Sequence, residues 1–124
     1  MVSLIVQLKK WTQKYAETPE GAWLNDIEWD DVPLVVMSEF RNPDVMGMYS
    51  FGRIYVRDTN LELIFAIYIH ELRHRWQWKT KPIFYLIGKV VRPLIENDAY
   101  SIQDKADAWI QFTLEEEKQK KKKK

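Results

Sequence analysis

Both histidines of this 124-residue chain fall within five positions, His70-Glu71-Leu72-Arg73-His74. Residues four apart lie about 40° apart around an α-helix, so both imidazoles leave one face and can reach a common ion at about 2.0–2.1 Å. Glu71 is turned about 100° from His70. It stands off the line of the two ligands, yet close enough to take a proton from a water held by the ion. The chemistry this spacing supports is hydrolysis assisted by Zn2+. Two imidazoles on an otherwise apolar helix also need partners for their ring nitrogens, which argues against a pair of incidental core histidines.

A zinc site that acts on a substrate takes three protein ligands and keeps a fourth position open. The chain has no further His and no Cys, so a carboxylate must complete the set. Glu96, Asp98, Asp104 and Asp107 all follow the motif on one predicted helix. The lack of cysteine also excludes a disulfide framework, a thiolate zinc site and a Cys nucleophile.

Glu96-Asn97-Asp98-Ala99-Tyr100 begins 22 residues beyond His74. Together with the histidine motif it resembles the gluzincin branch of zinc metallopeptidases, in which H-E-x-x-H on one helix is completed by a Glu from a later helix, often within E-x-x-A-D. The resemblance implies His70, His74 and Glu96 as zinc ligands, Glu71 as general base and a zincin-like fold. It spans roughly residues 46–112 as architecture and rests on His70, Glu71, His74, Glu96 and Ala99. The chain departs from the family pattern at Tyr100, where an Asp usually hydrogen-bonds a ligand histidine. Tyr100, Asp98, Asp104 or a main-chain carbonyl are the groups left to do so. Tyr100 is also the candidate for stabilising the oxyanion of a peptide substrate, with Tyr85 and Arg92 as further candidates. By the same resemblance, a substrate strand pairs with the sheet edge, either Met46 to Phe51 or Arg53 to Asp58.

The elements that must position these groups follow from periodicity. Leu4, Leu8, Trp11 and Tyr15 make one apolar stripe, predicting an N-terminal helix that ends before Pro19. Residues 17–31 are turn-rich and acidic and read as a solvated loop, without the alternating oxygen ligands of a calcium loop. Pro33 to Phe40, Met46 to Phe51 and Arg53 to Asp58 read as three strands of one small sheet, the last two as a hairpin or a bulged ribbon around Gly52. Asp58-Thr59-Asn60 starts a helix running to about Trp78, apolar on most of its wheel and so expected at the centre. Ile83 to Val91 reads as a short helix stopped by Pro93. Leu94 to Glu116 reads as a long final helix, packed through Ile95, Ala99, Ile102, Ala106, Trp109, Ile110 and Phe112. The expectation is a small α+β fold: a three-stranded sheet, an N-terminal helix, the H-E-x-x-H helix and a C-terminal helix carrying the third ligand.

Composition is that of one ordinary globular domain, 46% hydrophobic, 30% charged and 14% aromatic, which excludes a coiled coil or a disordered chain. The formal charge of +1 divides into a slightly acidic catalytic domain (1–114, net −2) and a Lys-rich tail (115–124, net +3). The residues from Lys118 onward are expected to be disordered, a solubilising end with at most nonspecific contact to nucleic acid. Arg73, Arg75, Lys79 and Lys81 interleave with Trp76 and Trp78; packed rings and solvated charges are the expected use, ahead of nucleic-acid stacking. Gln77 lies near the ligand face, where packing is an equal use. No apolar run approaches the ~20 residues of a membrane span and the N-terminus does not read as a signal peptide, so a soluble, cytoplasmic protein is expected. The implied activity is a zinc metallopeptidase acting on a peptide or protein. The competing reading is a zincin-fold structural or binding protein within a larger assembly, such as a virus particle. A zinc nuclease is disfavoured, because one His₂Glu set lacks the ligands of a two-metal centre. A further expectation is latency, with the segment after Phe112 folding over the cleft.

Overall fold

A computed structural model describes residues 4–38, 40, 42–50, 52–80 and 92–122. It has an α+β architecture of three helices and one three-stranded mixed sheet: α1 (Leu4–Ala16), β1 (Leu34–Met37), β2 (Gly47–Ser50), β3 (Arg53–Arg57), α2 (Leu61–Thr80) and α3 (Arg92–Lys122). The stretch expected as a short helix, Ile83 to Val91, lies outside the described residues, as do Tyr85, Phe51 and the side chain of Arg92.

Helix α2 is the central element, as its apolar wheel requires. It is buried without a break from Ile64 to Leu72, which leaves no solvated face over more than two turns. Asn60 caps it: its side-chain oxygen accepts from the Leu63 N–H at 2.9 Å, satisfying one of the donors a helix start leaves open. The sheet covers one side of α2, while α1 and α3 cover the rest. Phe65 joins these layers. Its ring meets Trp11 (5.9 Å between centroids), Tyr15 (6.0 Å) and Trp109 (5.6 Å), two rings from α1 and one from α3. Each such aromatic pair adds about 0.5–1.5 kcal/mol beyond the area it buries.

In the sheet β3 is central, parallel to β1 and antiparallel to β2. Gly52 has φ +77° in the turn joining β2 to β3, a backbone state that a side chain would strain. Strand β2 is an edge, and it rests on α2 through Gly47. A Cβ there would collide with Cγ2 of Ile67 and stand 3.5 Å from Cγ of Glu71. Glycine at 47 therefore lets an edge strand approach the motif helix at the level of Glu71.

Four expectations change. Residues 17–31 are more than a solvated loop: two 3-10 turns, Ala22–Asp26 and Trp29–Asp31, bury Leu24, Ile27 and Trp29 while turning their acids outward. Apolar residues interleaved with acids make a plug with one wet face. Phe112 does not pack, being 65% exposed. The buried stripe of α3 runs through Ile95, Ala99, Ile102, Ala106, Ile110 and Thr113, and Phe112 falls about 100° off it. The Lys-rich end expected to be disordered continues as helix to Lys122. Glu115 precedes Lys118 by three positions, and Glu116 and Glu117 precede Lys120 and Lys121 by four, a charge order that supports a helix. The Glu117 carboxylate also lies 3.9 Å from Lys14 on α1. That straight continuation carries the C-terminal lysines roughly 33 Å along the helix axis from Glu96, so the segment after Phe112 does not fold back over the site. Among the described residues, no helix is long and apolar enough to cross a membrane.

Candidate metal centre

Helix α3 returns antiparallel along α2, which sets Ile95 and Asp98 beside Gln77 and Arg73, and Glu96 beside the two histidines. The Nε2 atoms of His70 and His74 face each other at 3.2 Å. Two ligands at 2.0–2.1 Å on a tetrahedral ion are about 3.3 Å apart. Glu96 presents Oε1 to His74 Nε2 at 2.7 Å and Oε2 to His70 Nε2 at 3.9 Å. The three side chains implied as ligands thus converge on one small volume. His70 and His74 side chains are 8% and 12% exposed and Glu96 is 39% exposed, so the volume opens to solvent on the Glu96 side.

Glu71 is also in this cluster, with a ligand atom within 4.8 Å of those of both histidines. Chemistry separates it from Glu96. Glu71 is 5% exposed, and its Oε2 is buried without a hydrogen-bond partner among the described residues. Burial pushes its carboxyl up to about 8, and the Glu96 charge adds to this. Burial also drives the His70 imidazole down to about 4; the neighbouring His74 adds to that, while Glu96 and Gln103 oppose it. His70 Nδ1 is buried without a hydrogen-bond partner among the described residues. In the metal-free protein, burial thus favours the uncharged form of both groups. Two imidazole nitrogens and a carboxylate pointing into one volume fit a Zn2+ ion, with His70, His74 and Glu96 as the residues that would hold it.

Comparison with protein-family models, curated proteins and solved structures finds no match to the chain. The functional reading therefore stands on the site itself.

Each remaining candidate has a definite place. Tyr100, one turn beyond Glu96, packs its ring on His70 at 4.6 Å between centroids and 63° between planes, and is 54% exposed. Its phenol does not pair with His70 Nδ1, which has no hydrogen-bond partner among the described residues. Asp104 and Asp107 are exposed farther along α3. Asp98 is linked to His74 through Gln77. It accepts from Arg73 Nε at 2.7 Å and from the Arg73 terminal amine at 3.2 Å, and also from Gln77 Nε2 at 2.8 Å. Gln77 in turn meets His74 Nδ1 at 2.9 Å through its Oε1. The basic-aromatic cluster is not solvated at Arg73. Its side chain is 12% exposed, and the guanidinium stacks 3.7 Å from the Trp76 ring centre and 5.0 Å from that of Trp23. Opposite charge and two ring faces use up this cation, leaving it no role as a nucleic-acid contact.

The two perturbed groups set a pH dependence for the metal-free protein. Glu71 is protonated in the fold up to about 8, but ionises near 4.5 when unfolded, so its contribution is lost as pH rises toward 8. His70 stays neutral in the fold down to about 4 but protonates near 6.5 when unfolded, so its contribution grows as pH rises to 6.5. The two oppose each other between 4.5 and 6.5, and above 6.5 only the Glu71 loss remains. Urea midpoints of the metal-free protein are expected to fall between pH 6.5 and 8, and the fall is expected to vanish in Glu71→Gln. A wild-type midpoint that is flat or rising over this window contradicts the assignment.

Proposed function

We propose that the chain is a minimal zincin-like metallopeptidase of the H-E-x-x-H plus Glu type, hydrolysing peptide bonds with His70, His74 and Glu96 as the zinc ligands. The observation that carries this is the meeting of both Nε2 atoms and the Glu96 carboxylate beside Glu71, a buried carboxyl on the same helix whose Oε2 has no hydrogen-bond partner among the described residues. Bound zinc supplies a Lewis acid, which brings the pKa of its water to about 7. Glu71 accepts the proton of the attacking water on its carboxylate and then passes it to the leaving amine. Its low exposure keeps that proton from being lost to bulk solvent. Tyr100, partly exposed and packed on His70, is the donor offered to a carbonyl oxygen gaining charge.

A peptide can be held by the sheet edge. The Arg57 N–H bonds the Met46 carbonyl at 2.8 Å, so in the β2–β3 register Met48 and Ser50 also turn their main-chain groups toward β3. Gly47 and Tyr49 turn theirs to the free edge. An extended substrate pairing there would run past Glu71, because Gly47 lies against that side chain.

The direct test is metal analysis joined to a broad peptide library. The purified chain is expected to hold about one zinc and to cleave internal peptide bonds, with a chelator removing both and added zinc restoring both. Zinc held at that ratio with no peptide cleaved would instead indicate a metal-binding protein without the activity.

A further inference from the structure

Gln77 is 3% exposed and every end of its amide is engaged. Nε2 lies 2.9 Å from the Ile95 carbonyl and 2.8 Å from Asp98 Oδ2, while Oε1 lies 2.9 Å from His74 Nδ1. A carbonyl and a carboxylate only accept. The amide end facing them must therefore be the NH₂, because the flipped orientation would set three acceptors against one another. Oε1 then faces the imidazole, and His74 Nδ1 must donate to it. In the neutral imidazole the one ring proton sits on Nδ1 and His74 Nε2 keeps a lone pair. Without metal, its 2.7 Å contact with Glu96 Oε1 needs a further proton, which a metal ion would displace. That lone pair is aimed at the point where His70 Nε2 and Glu96 also arrive.

We infer that Gln77 is a positioning residue that holds His74 in its metal-accepting tautomer, and that Asp98 and Arg73 hold Gln77. The assignment deepens the proposed zinc site and rests on it only for the value of that tautomer. Each link is fixed by the next. Asp98 cannot turn away from Gln77 without giving up two bonds to Arg73. Arg73 in turn is held between Trp23 and Trp76. The relay supplies from α2 and α3 together what Tyr100 does not supply from its own position. It also makes the two histidines unequal. His74 is pinned through Nδ1, whereas His70 Nδ1 is buried without a hydrogen bond among the described residues.

Two-bond proton–nitrogen correlation of the ¹⁵N-labelled, metal-free chain reads the tautomer without activity or zinc. His74 is expected as the Nδ1-protonated form in the wild type, and as a mixture or the Nε2-protonated form in Gln77→Leu. Zinc affinity is expected to fall 10- to 100-fold in the same variant, the usual effect of losing a partner of a ligand histidine. A second pair of variants guards against a simple packing defect. Gln77→Glu alone sets a carboxylate against Asp98 and is expected to weaken zinc binding. Adding Asp98→Asn provides a donor toward that carboxylate and is expected to recover most of the loss. The inference is overturned if Gln77→Leu leaves the His74 tautomer unchanged, or if the double variant binds zinc no better than Gln77→Glu. If the wild type takes up no zinc, the metal-site reading fails while the tautomer measurement still decides the role of Gln77.

Discussion

Glu71→Gln is expected to keep about one zinc per chain and to lower peptide-bond cleavage by roughly 10²- to 10⁴-fold, the usual contribution of a positioned general base. The substitution keeps the size of a side chain that is 5% exposed. It removes only the ability to take and return a proton. The three proposed ligands stay in place, since none depends on a hydrogen bond from Glu71 (its Oε2 has no partner among the described residues). The measurement is kcat/KM on the best peptide from a library, beside metal content by atomic absorption. Equal cleavage by the two proteins would remove Glu71 from the mechanism and with it the peptidase proposal. Loss of zinc in Glu71→Gln would instead make Glu71 a ligand.

The second large effect belongs to His74. His74→Ala takes away one of three donors and also breaks the Gln77 relay at its end. Zinc affinity is expected to fall by more than the roughly 100-fold that loss of a supporting partner causes. The fold is expected to survive, because α2 is held mainly by the buried run from Ile64 to Leu72, ahead of this residue. Competition with a chromophoric chelator reads the affinity, and circular dichroism checks the helix content. Asp107→Ala serves as control, since Asp107 is exposed on the same helix as Glu96 and is expected to change nothing. If His74→Ala binds zinc as tightly as the wild type, the ligand set is wrong.

Much of this site is written in local spacing. Two histidines four apart share a helix face whatever the surrounding fold, and an apolar wheel on every side of residues 61–78 places that face at the centre. The hairpin at Gly52 and the stripe of α3 are legible for the same reason: a period of two or 3.6 is a property of neighbouring residues. Glu96 was singled out among four carboxylates only by family resemblance. The structure brings it to both Nε2 atoms, while Asp104 and Asp107 stay exposed. The Gln77–Asp98–Arg73 relay was not legible. It depends on the register in which α3 crosses α2, which places residues 18 to 25 apart in the chain within hydrogen-bond reach. No periodicity encodes that register. The order of strands, with β3 between β1 and β2, is likewise a product of packing on α2. The burial of Leu24, Ile27 and Trp29 was hidden by the acids among them, because a short 3-10 turn has no long stripe to betray its inner face.

The length of α3 has an electrostatic meaning as well. Its lysines from 118 onward begin roughly 33 Å along the axis from Glu96, and at physiological ionic strength charges are screened over about 8 Å. Four screening lengths separate the positive end from the two histidines, so its field does not reach a molecule approaching them. Whatever charge preference operates there is set by the slightly acidic domain around them, and salt acts on the two ends of this helix independently.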